Sequence, residues 1–434
     1  MKQNLHNIAI ALVSFYAVVL ISGPAFAQEP LPPPAEPMPE AEPAPASEPA
    51  PATEPVPEVE SPPASAPAAK KPDDAADEVT GPEITSDGEG ADDGVSIDPS
   101  KSFKIGGRVH AGYKILREAP SVTASGRDTS NEFEVKRARL KASWRPERWM
   151  LAVVQIDVAE AFELGGSMLR DAYVHLSPLE QLQLRVGQFK KPFSGLELQS
   201  PGKLRVIERG PGVKYLAEDL LYGDRDLGLQ LSGRLVKSVK LDYEIGVFNG
   251  SGPDLDEMDN SKDLVARLQI RPIKQLELGA NLSAKFFSDP RPRQPAWALA
   301  AGGDARVGIK GFRFFAEALV APDHKAYGFD VTATPETTPN AFAVLAIVSY
   351  KQKLDTSVRF AIEPVFKAEL FDPDLKMAAD HLWVLTPGIN AYLGKYFRLM
   401  LSGEFVRSNR NNDFNPQASQ ADSETLEVLA CFDI

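Results

Sequence analysis

The sequence predicts an all-β chain: a 16-stranded antiparallel transmembrane β-barrel preceded by a disordered Pro-rich segment. Three observations carry this. Apolar and polar residues alternate with period two through most of residues 103–434. Short and long connections between the alternating segments also alternate. No apolar run in that region approaches the ~20 residues of a membrane-spanning helix.

The N-terminus reads as a secretory signal over residues 1–27. Lys2 supplies a positive charge, Ile8 to Ile21 an apolar core, and Ala25-Phe26-Ala27 a small-residue cleavage site. The only cysteine is Cys431, so an exported chain of this length has no intrachain disulfide and needs another form of closure. Residues 28–100 repeat Glu-Pro, Ala-Pro and Pro-Ala and then turn acidic, with 18 acidic residues against Lys70 and Lys71. This tract accounts for the acidic balance of the chain: the total is −13, yet the part from Lys101 onward is about +2. Such a composition cannot bury a core, so it is expected to be a disordered, semi-extended spacer. Residues 101–434 form the barrel domain.

In FKIGGRVHAGYKI the odd positions Phe103, Ile105, Val109, Ala111, Tyr113 and Ile115 are apolar, and the even positions carry Lys104, Arg108, His110 and Lys114. One face suits lipid and the other water. The pattern returns at 133–144, 150–158, 169–176, 181–189, 226–235, 239–248, 264–271, 276–285, 304–310, 312–320, 341–350, 356–368, 382–393, 396–406 and 425–434. Every even-numbered connection is a short turn such as SPLE, VKS, RPIK or GK, and the longest odd-numbered one runs over 190–225. A soluble β-sandwich would alternate too, but it gives no regular asymmetry of loops. Pro364 and Pro387 fall inside expected strands, where a missing N–H interrupts the ladder. A ring of this strand number encloses an aqueous channel rather than a packed interior.

The polar face bears the candidate site residues. Arg137, Arg139 and Lys141 share an inward parity opposite Ala138, Leu140 and Ala142, and the adjoining strand adds Lys104, Arg108 and Lys114. Arg185 points inward before RVGQFKKPFSG, where Pro192 stops the strand and sends Lys190 and Lys191 into the longest loop. That loop also holds Lys203, Arg205, Arg209 and Lys214, with Glu197, Glu208, Glu218 and Asp219. Clustered cations attract anions, and arginine forks suit phosphate oxygens. The competing reading pairs them with inward acids: Asp157, Asp171, Asp226, Asp242, Glu317, Glu363 and Glu404. No histidine lies in a nucleophile or metal motif, and His110 and His175 read as polar wall residues, so no catalytic, cofactor-binding or metal residue is expected. The near-neutral barrel offers no footprint for nucleic acid.

An ordered set of motifs then points to a family: VKRARL at 135–140, LRDAYV at 169–174, VGQFKKPFS at 186–194, DRDLGLQLSG at 224–233, GVFNGSG at 246–252, and GIN-AYL at 388–393 followed by FRLMLSGEFVR. Together they resemble the phosphate-selective porins of the O and P type. The resemblance implies an outer-membrane barrel embedded in lipid, a homotrimer, a third long loop folded into the pore, and passage of small anions with phosphate among them. Lys190 and Lys191 are expected to begin a positive path at the extracellular side. Two features depart from the family: the chain ends CFDI, on Ile434 rather than an aromatic residue, and the acidic linker lies outside the family's core pattern and is expected in the periplasm. The alternative functions are a non-selective general porin and a structural barrel tethered through its linker to a periplasmic partner.

Overall fold

The computed structural model describes residues 103–118, 129–162, 167–253, 260–287, 296–325, 339–354, 359–377, 380–408 and 422–434, together with the backbone of 95–98. The signal and nearly all of the linker reading lie outside these residues. The exception is a short strand, Val95–Asp98, which pairs with the start of the barrel through Val95–Ile105 and Ser96–Lys104.

The barrel strands are β1 Phe103–Glu118, β2 Thr129–Trp144, β3 Met150–Asp157, β4 Leu169–Leu179, β5 Leu182–Lys190, β6 Arg225–Val236, β7 Leu241–Phe248 and β8 Asp263–Ile273. They continue as β9 Leu276–Phe286, β10 Trp297–Ile309, β11 Phe312–Pro322, β12 Asn340–Tyr350 (extended by Gln352–Leu354), β13 Phe360–Asp372, β14 Leu382–Leu393, β15 Phe397–Ser408 and β16 Ser423–Asp433. Each strand pairs antiparallel with its neighbours in sequence, and β16 closes on β1 from Ser423–Glu118 to Asp433–Arg108. The result is the expected closed ring of 16 strands. Closure leaves no unpaired edge in lipid.

Alternation sets the two faces. Ile105, Val109, Leu140, Val154, Leu229, Leu268 and Leu399 are exposed on the outside. Trp144, Trp149, Phe312, Tyr350, Tyr396 and Phe432 mark the short-turn end of this apolar belt, and Phe133, Phe286, Trp297, Trp383 and Phe405 the long-loop end. Two aromatic girdles around an apolar band are what a barrel presents at the two membrane interfaces.

Both prolines are accommodated by gaps in the ladder. β12 breaks between Tyr350 and Gln352, across from Pro364, while the register on either side stays the same. Pairing of β14 with β15 lapses between Leu385–Phe405 and Gly388–Ser402, the interval that contains Pro387. One strand starts earlier than expected: β10 begins at Trp297, not at residue 304. Its inward Ala298 and Ala300 are packed by the long loop, so a residue of either face there is apolar and the alternation is silent.

Candidate functional site

The lumen is shaped by the long third loop, residues 191–224, between β5 and β6. Its apolar residues Phe193, Leu196, Leu204, Val206, Val213, Leu216 and Leu220 are buried in one cluster with the inward Ala300, Ala343, Leu345 and Phe371 of the wall. The loop therefore brings its own small core into the barrel, and that burial holds it inside. Polar anchors fix its course. At its root the Ser194 hydroxyl donates to Glu317 Oε2 at 2.9 Å, the Leu196 N–H donates to the same oxygen at 3.3 Å, and the Gly195 N–H donates to Oε1. Arg306 Nη2 donates to the Gly195 carbonyl at 2.6 Å.

Farther along, Arg398 Nη1 donates to the Leu204 carbonyl at 2.6 Å and Asn390 Nδ2 to the Arg205 carbonyl at 2.8 Å. The tip then reaches β16, β1 and β2. Lys136 Nζ lies 2.7 Å from Glu208 of the loop and 2.6 Å from Glu427 of β16, and a Cβ at Gly202 would meet Arg108 Nη2 at 2.5 Å. The return arm turns at Gly210, whose φ of 114° and close approach to Glu369 leave no room for a side chain. Pro211–Val213 and Lys214–Asp219 form a helical stretch whose Gly212 N–H donates to Glu369 at 2.7 Å, and Tyr222 donates to the Pro322 carbonyl at 2.9 Å. These anchors fall on β10, β11, β13–β15, β1 and β2, with β16 joined to them through Lys136, and β3 and β4 carry none of them. The arc from β2, where the loop tip docks, through β3 and β4 to β5 thus borders the lumen that the loop leaves open.

Along that arc and on the strands that flank it, the charges are mostly compensated. Arg139 Nε donates to Asp157 at 2.6 Å and Arg108 to Asp433, while Arg225 Nε lies 2.7 Å from Asp171. Arg137 and Arg185 differ: neither has a carboxylate within 4.0 Å among the described residues. Arg185 instead lies 4.9 Å from the Tyr173 ring centroid and 5.1 Å from that of Phe189. Arg137 is electrostatically in reach of Glu208 and Arg209 on the loop. Within the loop, burial opposes ionisation of Glu197, but Arg209 and Lys190 outweigh it and hold the carboxyl down at about 2. Burial, then the adjacent Glu197 carboxylate, push Glu218 above the usual carboxyl range.

A family model described as phosphate-selective porin O and P matches residues 103–337, more than half of the chain. The chain belongs to that family. Solved structures agree on the fold. An anion-selective porin from Comamonas acidovorans superimposes with a TM-score of 0.54 at 10% identity, covering 77% of this chain and 100% of that one. Salmonella typhi OmpF in complex with daunomycin gives 0.55 at 12%, covering 77% and 98%, and Pseudomonas putida OprB gives 0.53 at 9%, covering 76% and 94%. A comparison with curated proteins gives no match.

In this porin the residues singled out by sequence part into groups. Arg108, Arg137, Arg139 and Lys141 do share the inward face of neighbouring strands, since Gly106 pairs with Lys141, Arg108 with Arg139, and His110 with Arg137. Arg185 lies on the same arc at the level of His175. Lys190 is held by Glu197 at the loop root. Lys191 departs from the expected path: its side chain is 0% exposed, 2.9 Å from Asp263 and 3.4 Å from Asp226, behind the loop rather than along the lumen. A buried ammonium needs carboxylate partners, and the long-loop ends of β6 and β8 supply two. Sequence reading passed over Lys136. A bulge between Arg137 and Val135 turns two consecutive residues, Lys136 and Arg137, toward the lumen.

Proposed function

We propose that this porin lets small anions diffuse across the outer membrane along the arc from β2 to β5. The observation that carries the reading is the pair Arg137 and Arg185 on this arc, neither of which has a carboxylate within 4.0 Å among the described residues. Closely paired cations contribute little net field, so these two contribute more to the selectivity of the channel than the ion-paired arginines beside them. Phosphate belongs to the expected solutes through the family, together with other small anions. The barrel's apolar belt is the surface that meets lipid.

The experiment is a reversal-potential measurement in a chloride gradient across a planar bilayer. The parent should favour anions, and Arg137→Gln should lower anion-over-cation permeability by up to about tenfold. One unit charge at about 6 Å with an effective dielectric near 80 is worth ~0.7 kcal/mol, and it acts in opposite senses on anion and cation. A parent with no selectivity would make it a general porin, and a parent with no conductance would support the tethered structural barrel instead.

We further infer assembly as a homotrimer, following the family, with the N-terminal tract in the periplasm because β1 begins at the short-turn end. Unheated electrophoresis should show a trimer that boiling converts to an unfolded monomer. A compact monomer before boiling, from membranes where the barrel is inserted, would overturn the trimer.

A further inference from the structure

The short turns carry a ring of cations. Arg148 lies between β2 and β3, Lys240 between β6 and β7, Lys274 between β8 and β9, Lys310 between β10 and β11, and Lys353 with Arg359 at the connection from β12 to β13. All six are exposed, and among the described residues none has a carboxylate within 4.0 Å. The acids exposed on the described turn residues are Glu147 and Glu180, and Glu180 is already held by Lys237 at 2.6 Å. Three of the six cations stand where the backbone disfavours them. Lys240 and Lys310 have a φ of 44° and Arg359 of 49°, the left-handed region that glycine or asparagine fills at lower cost. Lys310 and Gly311 form the two-residue turn between Ile309 and Phe312, a place where asparagine or aspartate is favoured before the glycine. The turns thus keep long cationic side chains at a backbone cost.

We infer that this ring docks an acidic segment of the same chain, residues 75–94. That segment holds seven acidic residues and no lysine or arginine. The chain that follows it is fixed at the ring. Val95–Asp98 pairs with the start of β1 through Val95–Ile105, on the same edge of β1 as Ile434, whose N–H donates to the Gly107 carbonyl at 2.8 Å. The inference deepens the periplasmic placement of the N-terminal tract given above, and it does not depend on which solutes the channel passes.

Length and charge both fit this occupant. A flexible chain of 20 residues, as in 75–94, spans about 25 Å on average and about 65 Å at full stretch. A closed ring of 16 strands at ~4.8 Å spacing and ~40° tilt is about 30 Å across, so the segment reaches every turn. Each exposed pair is weak, but tethering holds the carboxylates before the ring at an effective concentration of about a millimolar, and many weak pairs then suffice.

The test is carbodiimide cross-linking of the full chain in phosphatidylcholine nanodiscs, which joins a carboxylate to a lysine amine in contact with it. Peptides linking residues 75–94 to Lys240, Lys274, Lys310 or Lys353 should form at about 0.1 M salt. Their yield should fall about threefold or more at 1 M, where the Debye length shrinks from about 10 Å to about 3 Å. The second readout is cleavage after Glu78, Glu83 and Glu89 by a glutamate-specific protease. A chain carrying K240Q, K274Q, K310Q and K353Q together, confirmed as folded by heat-modifiable mobility, should be cut about tenfold faster than the parent at low salt, as expected for losing four exposed pairs. At high salt the two should be cut alike. Absence of the cross-links, or cleavage that neither salt nor the four substitutions alters, would overturn the docking and leave the periplasmic placement standing. Cross-links to Lys262 or Lys325 instead, at the long-loop end, would overturn both. Cross-links that form in phosphatidylcholine but vanish in phosphatidylglycerol nanodiscs would assign the ring to anionic headgroups and likewise overturn the docking.

Discussion

Lys191→Glu should abolish recovery of the folded barrel. Lys191 bridges Asp226 of β6 and Asp263 of β8 with a side chain that no solvent reaches, and Lys285 of β9 shares Asp263 at 2.7 Å. Removing one partner of a buried ion pair costs about 3–5 kcal/mol because the other charge stays buried without compensation. A glutamate goes further, placing three carboxylates around Lys285 where two stood with two lysines. The yield of heat-modifiable protein on refolding into detergent measures this, and Lys191→Glu should give almost none. Lys190→Glu should be milder, since Lys190 keeps some exposure and meets one carboxylate, Glu197. If Lys191→Glu instead folds in normal yield with lowered anion selectivity, Lys191 lines the path after all.

The contrast shows how far a sequence reading reaches. Alternation located the strands because lipid on one side and water on the other impose opposite demands on successive residues. Where the inner side meets the loop instead of water, as at Ala298 and Ala300, the demand is the same on both faces and the start of β10 could not be read. The two prolines were legible as interruptions, and the structure shows each opposite or within a gap in the ladder.

The site was legible only in part. Parity placed Arg108, Arg137, Arg139 and Arg185 on the inner wall, but it could not say which cations meet an acid. That is settled by register across strands, as for Arg139 opposite Asp157. The bulge that exposes Lys136 to the lumen did leave a trace: Phe133 and Val135 are apolar at odd positions, and Ala138 and Leu140 at even ones, so the phase changes between them.

Glu317→Ala should widen the channel without unfolding it. Glu317, 3% exposed, gathers the Ser194 hydroxyl and the Gly195 and Leu196 N–H groups into one carboxylate, which fixes the loop root against β11. Hydrogen bonds to a charged group contribute about 1.5–3 kcal/mol each, and lumen water recovers part of that when they are lost, so a net loss of about 3 kcal/mol at the root is expected. The 16-stranded ladder does not depend on this contact, and heat-modifiable mobility should persist. The loop's apolar core still packs on Ala343 and Phe371, so it should loosen at the root rather than leave the lumen. Single-channel conductance should rise and become noisier, and proteoliposomes should admit disaccharides faster than those with the parent. Glu317→Gln, which keeps the shape and acceptor oxygen but not the charge, should fall between the two. Conductance and solute cut-off equal to the parent in Glu317→Ala would mean that the apolar core alone positions the loop.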